Sequence, residues 1–264
     1  MSGNPFLTKS TLAYELPPFE QIQESHYLEA VYAGMREQLA EIDAILANAE
    51  VTFQNTVEAM ERSGAVLNRV LHVFYNKSSS DTNDQIDAIE AEIAPKLAAH
   101  SDAIQLNPEL FARIKRLREN VADLNDEQAW LVERYFRDFA QAGAELSEAN
   151  RERVMQINEE LSSLQTQFGK KLLADTNDLA VVVDSEIELE GLTPNQIAAC
   201  KAAAESRGLP DKWLITMMNF TGHPLLGALK NRDLRERVMQ NSLLKGDRNN
   251  ENDTKDVLLK TVAK

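Results

Sequence analysis

Residues 25–46 read SHYLEAVYAGMREQLAEIDAIL, and this segment carries the clearest structural signal in the chain. Its apolar residues recur at spacings of three and four, which is the period of an α-helix with one apolar face. The sequence therefore predicts a long amphipathic helix whose apolar stripe needs partner helices. The residues of the stripe are Tyr27, Val31, Met35, Leu39, Ile42 and Leu46.

The same period continues to about residue 172, interrupted by residues that favour helix starts. Residues 53–74 are predicted as one helix with Thr52 as its N-cap. A further helix, from about Asn83 to Leu106, includes a proline, which predicts a kink. The later helices begin at Asn107 with Pro108 in the first position, at Asn125 with Gln128 as a capping box, and at Ser147, and Gly143 ends the second of these. Long helices with such stripes predict a bundle.

The pattern changes after residue 176. Residues 179–184 and 213–219 are short, apolar and partly β-branched, which favours strands. Between them, Thr193 and Gln196 predict a helix start and Gly208 predicts its end. The connection is compatible with a parallel or an antiparallel pair, but no other strand candidates exist to build a larger sheet. The predicted fold is mainly α, a long-helix bundle with a small two-stranded antiparallel β ribbon packed against it.

Two regions follow from this change of pattern. Residues 1–176 are predicted as an N-terminal helical bundle, and residues 177–264 as the ribbon, its intervening helix and the start of another helical region. Asp253 is a candidate N-cap, and Val257, Leu258 and Val262 begin a new apolar stripe. Because no helix stop signal precedes Lys264, we expect this helical region to be truncated at residue 264.

Composition excludes several classes of protein. The formal net charge is −14 without a cluster of basic residues, so a nucleic-acid partner is not expected. The longest wholly apolar run, residues 179–183, is far below the roughly 18 residues that a membrane span needs. The residues after Met1 show no secretory signal, which favours a cytoplasmic location. Cys200 is the only cysteine, so neither an internal disulfide nor a Cys-based zinc site is expected.

The histidines do not form a metal-binding pattern. They stand at positions 26, 72, 100 and 223, far from one another, and no H-E-x-x-H motif occurs. His26 and His72 lie on or beside apolar stripes, so packing roles are expected for them. His100 and His223 stand near helix ends, so capping or surface roles are expected.

Other chemical groups also have simpler structural interpretations. Cys200 lies in an alanine-rich helix and is expected to be a buried, inert thiol. Residues 247–258 alternate oxygen ligands in the manner of a calcium loop, but lack the required glycine and final glutamate. The acidic pairs 90/92 and 159/160 are expected to be solvated helix faces. The sequence therefore predicts no catalytic, cofactor-binding or metal-binding residues in this segment.

A series of short motifs resembles one protein family. Their order and spacing along nearly the whole chain are similar to the N-terminal portion of the thimet-oligopeptidase family of zinc metallopeptidases, in particular the bacterial peptidyl-dipeptidases (dipeptidyl carboxypeptidases). The motifs are Asn4-Pro5-Phe6-Leu7, Leu16-Pro17-Pro18-Phe19, His26-Tyr27, Phe53-Gln54-Asn55-Thr56, Glu61-Arg62-Ser63-Gly64, Asn68-Arg69-Val70, Asp81-Thr82-Asn83-Asp84, Gly191-Leu192, Lys212-Trp213-Leu214-Ile215, Asn231-Arg232-Asp233-Leu234-Arg235 and Glu251-Asn252-Asp253-Thr254.

The resemblance implies a two-lobed, nearly all-helical enzyme with a deep channel, which removes C-terminal dipeptides from short peptides. Family members bind one Zn through H-E-x-x-H and a further Glu, and those residues lie beyond position 264. The implied partners are short peptides and the missing C-terminal catalytic portion, and the implied role of this segment is a channel wall and one lobe of a hinge.

A different class of function fits the long helices equally well. A stand-alone acidic helical module would act as an interaction scaffold and would need no catalytic residues. The apolar stripe that is unfinished at residue 264 and the ordered motifs favour the peptidase interpretation. A reading frame that continues to an H-E-x-x-H motif would discriminate the two.

Overall fold

Several of the helices begin where the sequence places capping side chains. The structure, a computed structural model, describes residues 3–264. The Asn107 side chain accepts hydrogen bonds from the backbone N–H groups of Glu109 and Leu110, both at 3.0 Å. Asn125 and Gln128 form the predicted reciprocal capping box, with distances of 2.9 and 3.2 Å. Each cap satisfies N–H groups that the first helical turn leaves without partners.

The described residues form a mainly α fold with one two-stranded antiparallel sheet, as predicted. The helices up to residue 178 are α1 (Ser25–Leu46), α2 (Ala59–Arg62), α3 (Ala65–Ser80), α4 (Asp84–Gln105), α5 (Pro108–Glu119), α6 (Asp126–Ala142) and α7 (Glu148–Asp178). The later elements are β1 (Val181–Val183), α8 (Pro194–Ser206), β2 (Trp213–Ile215), α9 (His223–Leu226), α10 (Arg232–Leu243) and α11 (Lys255–Val262).

The chain divides into two compact units. The N-terminal unit is Met1–Ser163 and the C-terminal unit is Leu164–Lys264, so the division falls within α7. The domain boundary between residues 176 and 177, which the sequence pattern predicts, stays a prediction.

Aromatic and branched side chains fill the core of the N-terminal unit. Tyr27 of α1 lies between Phe6 and Phe74, with ring centroids 5.4 and 5.3 Å away. Ile86 and Ile93 of α4 are fully buried in the same cluster. The core therefore joins the N-terminal arm to α1, α3 and α4, which explains why the stripe of α1 has the helical period.

The single helix predicted for residues 53–74 is wrong. A π-helical turn, Gln54–Glu58, leads into α2, and the chain breaks before α3 at Ser63 and Gly64. Ser63 turns to extended backbone and its hydroxyl donates to the Met60 carbonyl at 2.8 Å. Gly64 has a φ of 73°, and its N–H donates to the carboxylate of Glu41 at 2.8 Å. The break is not visible in the sequence pattern, because apolar residues with helical spacing are buried both before and after Ser63 and Gly64.

Arg113 of α5 holds together the connection between α1 and α2. Its guanidinium donates to the carbonyl oxygens of Asn48 at 2.7 Å and Glu50 at 2.6 Å. A weaker bond to the hydroxyl of the fully buried Thr56 is 3.4 Å long. Burial lowers the pKa of Arg113. Hydrogen bonds from such a donor stabilise more than neutral ones because the guanidinium carries a formal charge.

We expect Arg113→Leu to lower the free energy of unfolding of the N-terminal unit by about 2–3 kcal/mol, because two carbonyl groups lose charged donors. The matched control is Arg116→Leu on the exposed side of the same helix, for which we expect a change within about 0.5 kcal/mol. Urea unfolding followed by Trp130 fluorescence in a Trp213→Phe background measures both. Equal effects of the two substitutions would show that the hydrogen bonds of Arg113 to the connection between α1 and α2 do not stabilise the unit.

The C-terminal unit is built around the predicted antiparallel ribbon. Val181 pairs with Ile215 and Val183 with Trp213, so the ladder is shorter than the predicted strands. Val181, Val183 and Ile215 are buried. The Arg237 side chain of α10 donates to the Val182 carbonyl at 2.7 Å, so a helix side chain provides the hydrogen-bond partner of one backbone carbonyl group in β1. An isolated two-stranded ribbon is only marginally stable in water. Here its buried side chains share an apolar core with those of the surrounding helices.

Candidate functional site

The structure places the four histidines in unrelated surroundings. The ring of His26 accepts from the N–H of Gln23 at 3.0 Å, and His223 is exposed and bonded to the hydroxyl of Ser242. His72 is exposed on α3, so the packing role predicted for it is wrong. It lies beside the apolar stripe without joining it.

The surface or capping role predicted for His100 is also wrong. His100 is 7% exposed, and its Nε2 lies 2.7 Å from Oε1 of Gln38 on α1. Burial lowers the pKa of His100, which favours the neutral ring. Its position near the end of α4 predicted exposure, but α1 covers that side of the helix.

Asp102 is a buried acidic residue that sequence reasoning missed. It is 6% exposed, and one carboxylate oxygen accepts from the amide of Asn158 at 2.7 Å. The other oxygen has no hydrogen-bond partner among the described residues. Burial raises the pKa of Asp102 although the bond from Asn158 opposes this. No signal in the sequence separates Asp102 from the solvated acidic residues around it.

The acidic residues predicted as solvated faces do not converge on a site. Ser78 donates to the carboxylate of Glu90, whereas Tyr32 donates to Glu92. The two carboxylates therefore reach different helices. Within residues 3–264, no group of three or more His, Cys, Asp or Glu side chains is arranged to hold a metal ion.

The segment that resembles a calcium loop contains its own cation. The ammonium group of Lys255 contacts the side chains of Asp247, Asn249 and Asp253, the last two at 2.9 and 3.1 Å. Its hydrogen bond to Asp247 is the largest of the effects that raise the pKa of Lys255, so the group stays charged. A side chain therefore partly neutralises the acidic groups of the loop between α10 and α11.

A buried carboxylate anchors the same loop. Asp175 of α7 is fully buried, and it accepts from the N–H of Gly246 and from Nε of Arg248, both at 2.6 Å. Burial alone would raise the pKa of Asp175, but the bonds from Arg248 and Gly246 outweigh it and hold the pKa below its usual value. Asp178 provides a second, exposed contact to Arg248 at 3.3 Å. This network fixes the approach to α11.

A partly open concave site in the C-terminal unit combines apolar walls with a few polar groups, which is typical of ligand sites. It has a volume of about 220 Å³ and lies among α8, β2 and the start of α9. Cys200, the buried thiol predicted from the sequence, is part of its wall. Burial raises the pKa of Cys200, so the thiol is protonated and a poor nucleophile.

Comparison with known proteins gives the family context. No protein-family model matches the chain. The chain is 36% identical over 262 residues to dipeptidyl carboxypeptidase of Escherichia coli, a match that includes 98% of this chain and 38% of that protein. The chain matches the N-terminal portion of dipeptidyl carboxypeptidase. The resemblance to the thimet-oligopeptidase family that the motifs predicted is confirmed.

More distant peptidases are similar to the same chain. Oligopeptidase A of Escherichia coli is 27% identical over 238 residues, which are 89% of this chain and 34% of that enzyme. The organellar oligopeptidase A of Arabidopsis thaliana is 26% identical over 250 residues, 90% of this chain and 31% of that enzyme. The chain thus spans between about a third and two fifths of the length of its curated relatives, which are peptidases by name.

None of the helices within residues 3–264 combines the length and the apolar character that crossing a bilayer requires.

Proposed function

We propose that this chain is the N-terminal, non-catalytic portion of a cytoplasmic zinc metallopeptidase that removes C-terminal dipeptides from short peptides. In this proposal it forms a wall of the substrate channel, and its partners are the peptide and the C-terminal catalytic portion. The observation that carries the proposal is the match of 98% of this chain to 38% of dipeptidyl carboxypeptidase.

Among residues 3–264, the side chains are not arranged as a zinc site. Zinc in peptidases takes His and carboxylate ligands that converge on one point, with one position left open for water. Here the four histidines lie in separate surroundings, and Cys200 is isolated in an apolar wall. We therefore assign zinc to the catalytic portion and no step of the reaction to residues of this chain.

The test compares this chain with the longest product of its gene. We expect the 264-residue chain to retain less than about 0.1 zinc per molecule after dialysis, because it lacks a converging ligand set. We expect it to leave an N-blocked tripeptide intact. The longer product should retain about one zinc and release a dipeptide from the same substrate.

Two outcomes would contradict the proposal. Tight binding of about one zinc by the 264-residue chain would show that this chain contains a complete set of zinc ligands. A stop codon directly after the codon for Lys264, with no catalytic partner, would favour the acidic scaffold module.

A further inference from the structure

The cavity in the C-terminal unit has walls from three elements. Gln196, Cys200 and Ala203 stand at spacings of four and three on α8, so they form one face of that helix. Leu214 of β2 and Leu225 of α9 close the opposite sides. The cavity is thus bounded by three regular elements of a single unit, and it is partly open to solvent.

The loop between β2 and α9 is fixed where it borders the cavity. The hydroxyl groups of Thr216 and Thr221 lie 2.6 Å apart, and Thr221 also donates to the Thr216 carbonyl at 3.0 Å. The ammonium group of Lys245 donates to the carbonyl of Met217. The wall is therefore preorganised, which reduces the entropic cost of binding a ligand.

The size of the cavity matches one side chain. An apolar cavity of about 150 Å³ is known to accept benzene, and pockets for whole drug-sized ligands begin near 300 Å³. The volume here is about 220 Å³. It has room for one aromatic ring or one branched aliphatic group, but not for a folded peptide.

The lining selects an uncharged group. No charged side chain is part of it, although the chain as a whole has a net charge of −14. Burying a charge there would be costly because no opposite charge would compensate it. The Oε1 atom of Gln196 accepts from the N–H of Thr193 at 2.9 Å, and the amide nitrogen of Gln196 takes no part in that cap. This nitrogen is a donor suited to a peptide carbonyl.

The chain does not fill the cavity with its own aromatic residue. Phe220 borders the cavity, but it is 71% exposed, so most of its ring is in contact with solvent. An exposed aromatic residue at a cavity entrance offers a stacking surface to an incoming apolar group.

We propose that this cavity binds one apolar side chain, aromatic or branched aliphatic, of a peptide. The choice of a peptide rests on the proposed function, whereas the apolar specificity rests on the cavity. The site would hold a substrate residue in the N-terminal portion of the enzyme and would contribute to peptide selectivity without taking part in catalysis.

Cys200 makes the proposal testable with the 264-residue chain. It is the only thiol, and it lies in the cavity wall. Its burial and raised pKa make alkylation by iodoacetamide slow, so the reaction is followed at alkaline pH, where its rate reports on occupancy. The probes are N-acetyl-phenylalanine amide and N-acetyl-leucine amide, with N-acetyl-alanine amide as the control. At a probe concentration of about ten times Kd, we expect alkylation to slow about tenfold with the two larger probes, by mass action. The alanine probe should change the rate less than about twofold.

A pair of variants on α8 separates the cavity from the helix surface. Ala203→Phe places a ring in the cavity and should abolish protection by the phenylalanine probe. Ala202→Phe, at the exposed neighbouring position, should leave protection unchanged. Saturation-transfer NMR of the probe ring protons gives the same comparison without chemistry at the thiol, and circular dichroism checks that both variants fold.

Three outcomes would overturn the proposal. Equal protection by the alanine and phenylalanine probes would show that the cavity does not select, and protection that persists in Ala203→Phe would place binding elsewhere. Protection that appears only in Phe220→Ala would show that Phe220 is the true occupant. None of these readouts needs zinc or hydrolysis. A catalytically active longer product without cavity binding rejects only this inference, and cavity binding without a peptidase rejects only the proposed function.

Discussion

Replacing Asp175 with alanine is expected to lower the free energy of unfolding of the C-terminal unit by about 3–5 kcal/mol. The carboxylate is fully buried and accepts hydrogen bonds from Gly246 and Arg248. Removing it leaves a half-buried guanidinium and a buried N–H group without their acceptor. The loop between α10 and α11 would then lose its main attachment to α7.

Tryptophan fluorescence can report on this unit alone. The chain has two tryptophans, Trp130 in the N-terminal unit and Trp213 in the C-terminal unit. In a Trp130→Phe background, urea unfolding followed by Trp213 gives the stability of the C-terminal unit. The matched control is Asp178→Ala, which removes the exposed contacts to Arg248 and Asn252 and should cost less than about 1 kcal/mol. Similar losses for both variants would show that burial of Asp175 is unimportant.

The same carboxylate predicts a pH dependence. The pKa of Asp175 is lower in the folded chain than its ordinary value, so its ionised form stabilises the fold. This contribution is fully present above about pH 4, the ordinary range of an aspartate, and is lost as the pH falls through the folded value. Asp175→Asn should therefore flatten the acid limb of the stability profile. An unchanged limb would contradict the depressed pKa.

Gly191→Ala is expected to lower the free energy of unfolding of the C-terminal unit by about 3–5 kcal/mol, because two penalties add. Gly191 has a φ of 103°, which residues with a Cβ atom rarely adopt. An added Cβ atom would also lie 2.0 Å from the carbonyl oxygen of Ala228. That segment is fixed in place by a hydrogen bond from the N–H of Lys230 to the Glu190 carbonyl at 2.9 Å.

Gly208→Ala separates the two penalties. Gly208 has a φ of 74°, but an added Cβ atom would meet nothing within 4 Å. We expect only the conformational cost, about 1 kcal/mol. Unfolding followed by Trp213 fluorescence measures both variants. If Gly191→Ala costs no more than Gly208→Ala, the close approach of residues 191 and 228 is not maintained in solution.

Local chemistry made several helix starts and the ribbon predictable. A cap such as Asn125 with Gln128 acts within one turn, so the residues that form it are adjacent in the sequence. The antiparallel ribbon followed from the lack of further strand candidates, since residues 179–184 and 213–219 had only each other as partners. The helix starts thus depend on residues that are neighbours in the sequence, and the pairing of the ribbon follows from the lack of any other strand candidate.

Features that depend on distant partners were not predictable. The break at Ser63 and Gly64 is stabilised by Glu41 of α1, and the burial of His100 by Gln38 of the same helix. Neither partner is near in sequence, and the apolar period continues through the break. The cavity is also invisible to motif analysis, because its walls come from residues 196–225 without a shared pattern.

Because of Lys255, the conformation of the loop between α10 and α11 does not depend on a bound metal ion, as that of a calcium loop does. A bound metal ion exchanges with the surroundings, and its occupancy follows the free ion concentration. The ammonium group that contacts Asp247, Asn249 and Asp253 is covalently part of the chain and cannot diffuse away. We therefore expect the conformation of this loop not to change when a chelator is added or when the concentration of divalent ions falls. The loop would then stay attached to α7 under conditions in which a calcium site loses its ion.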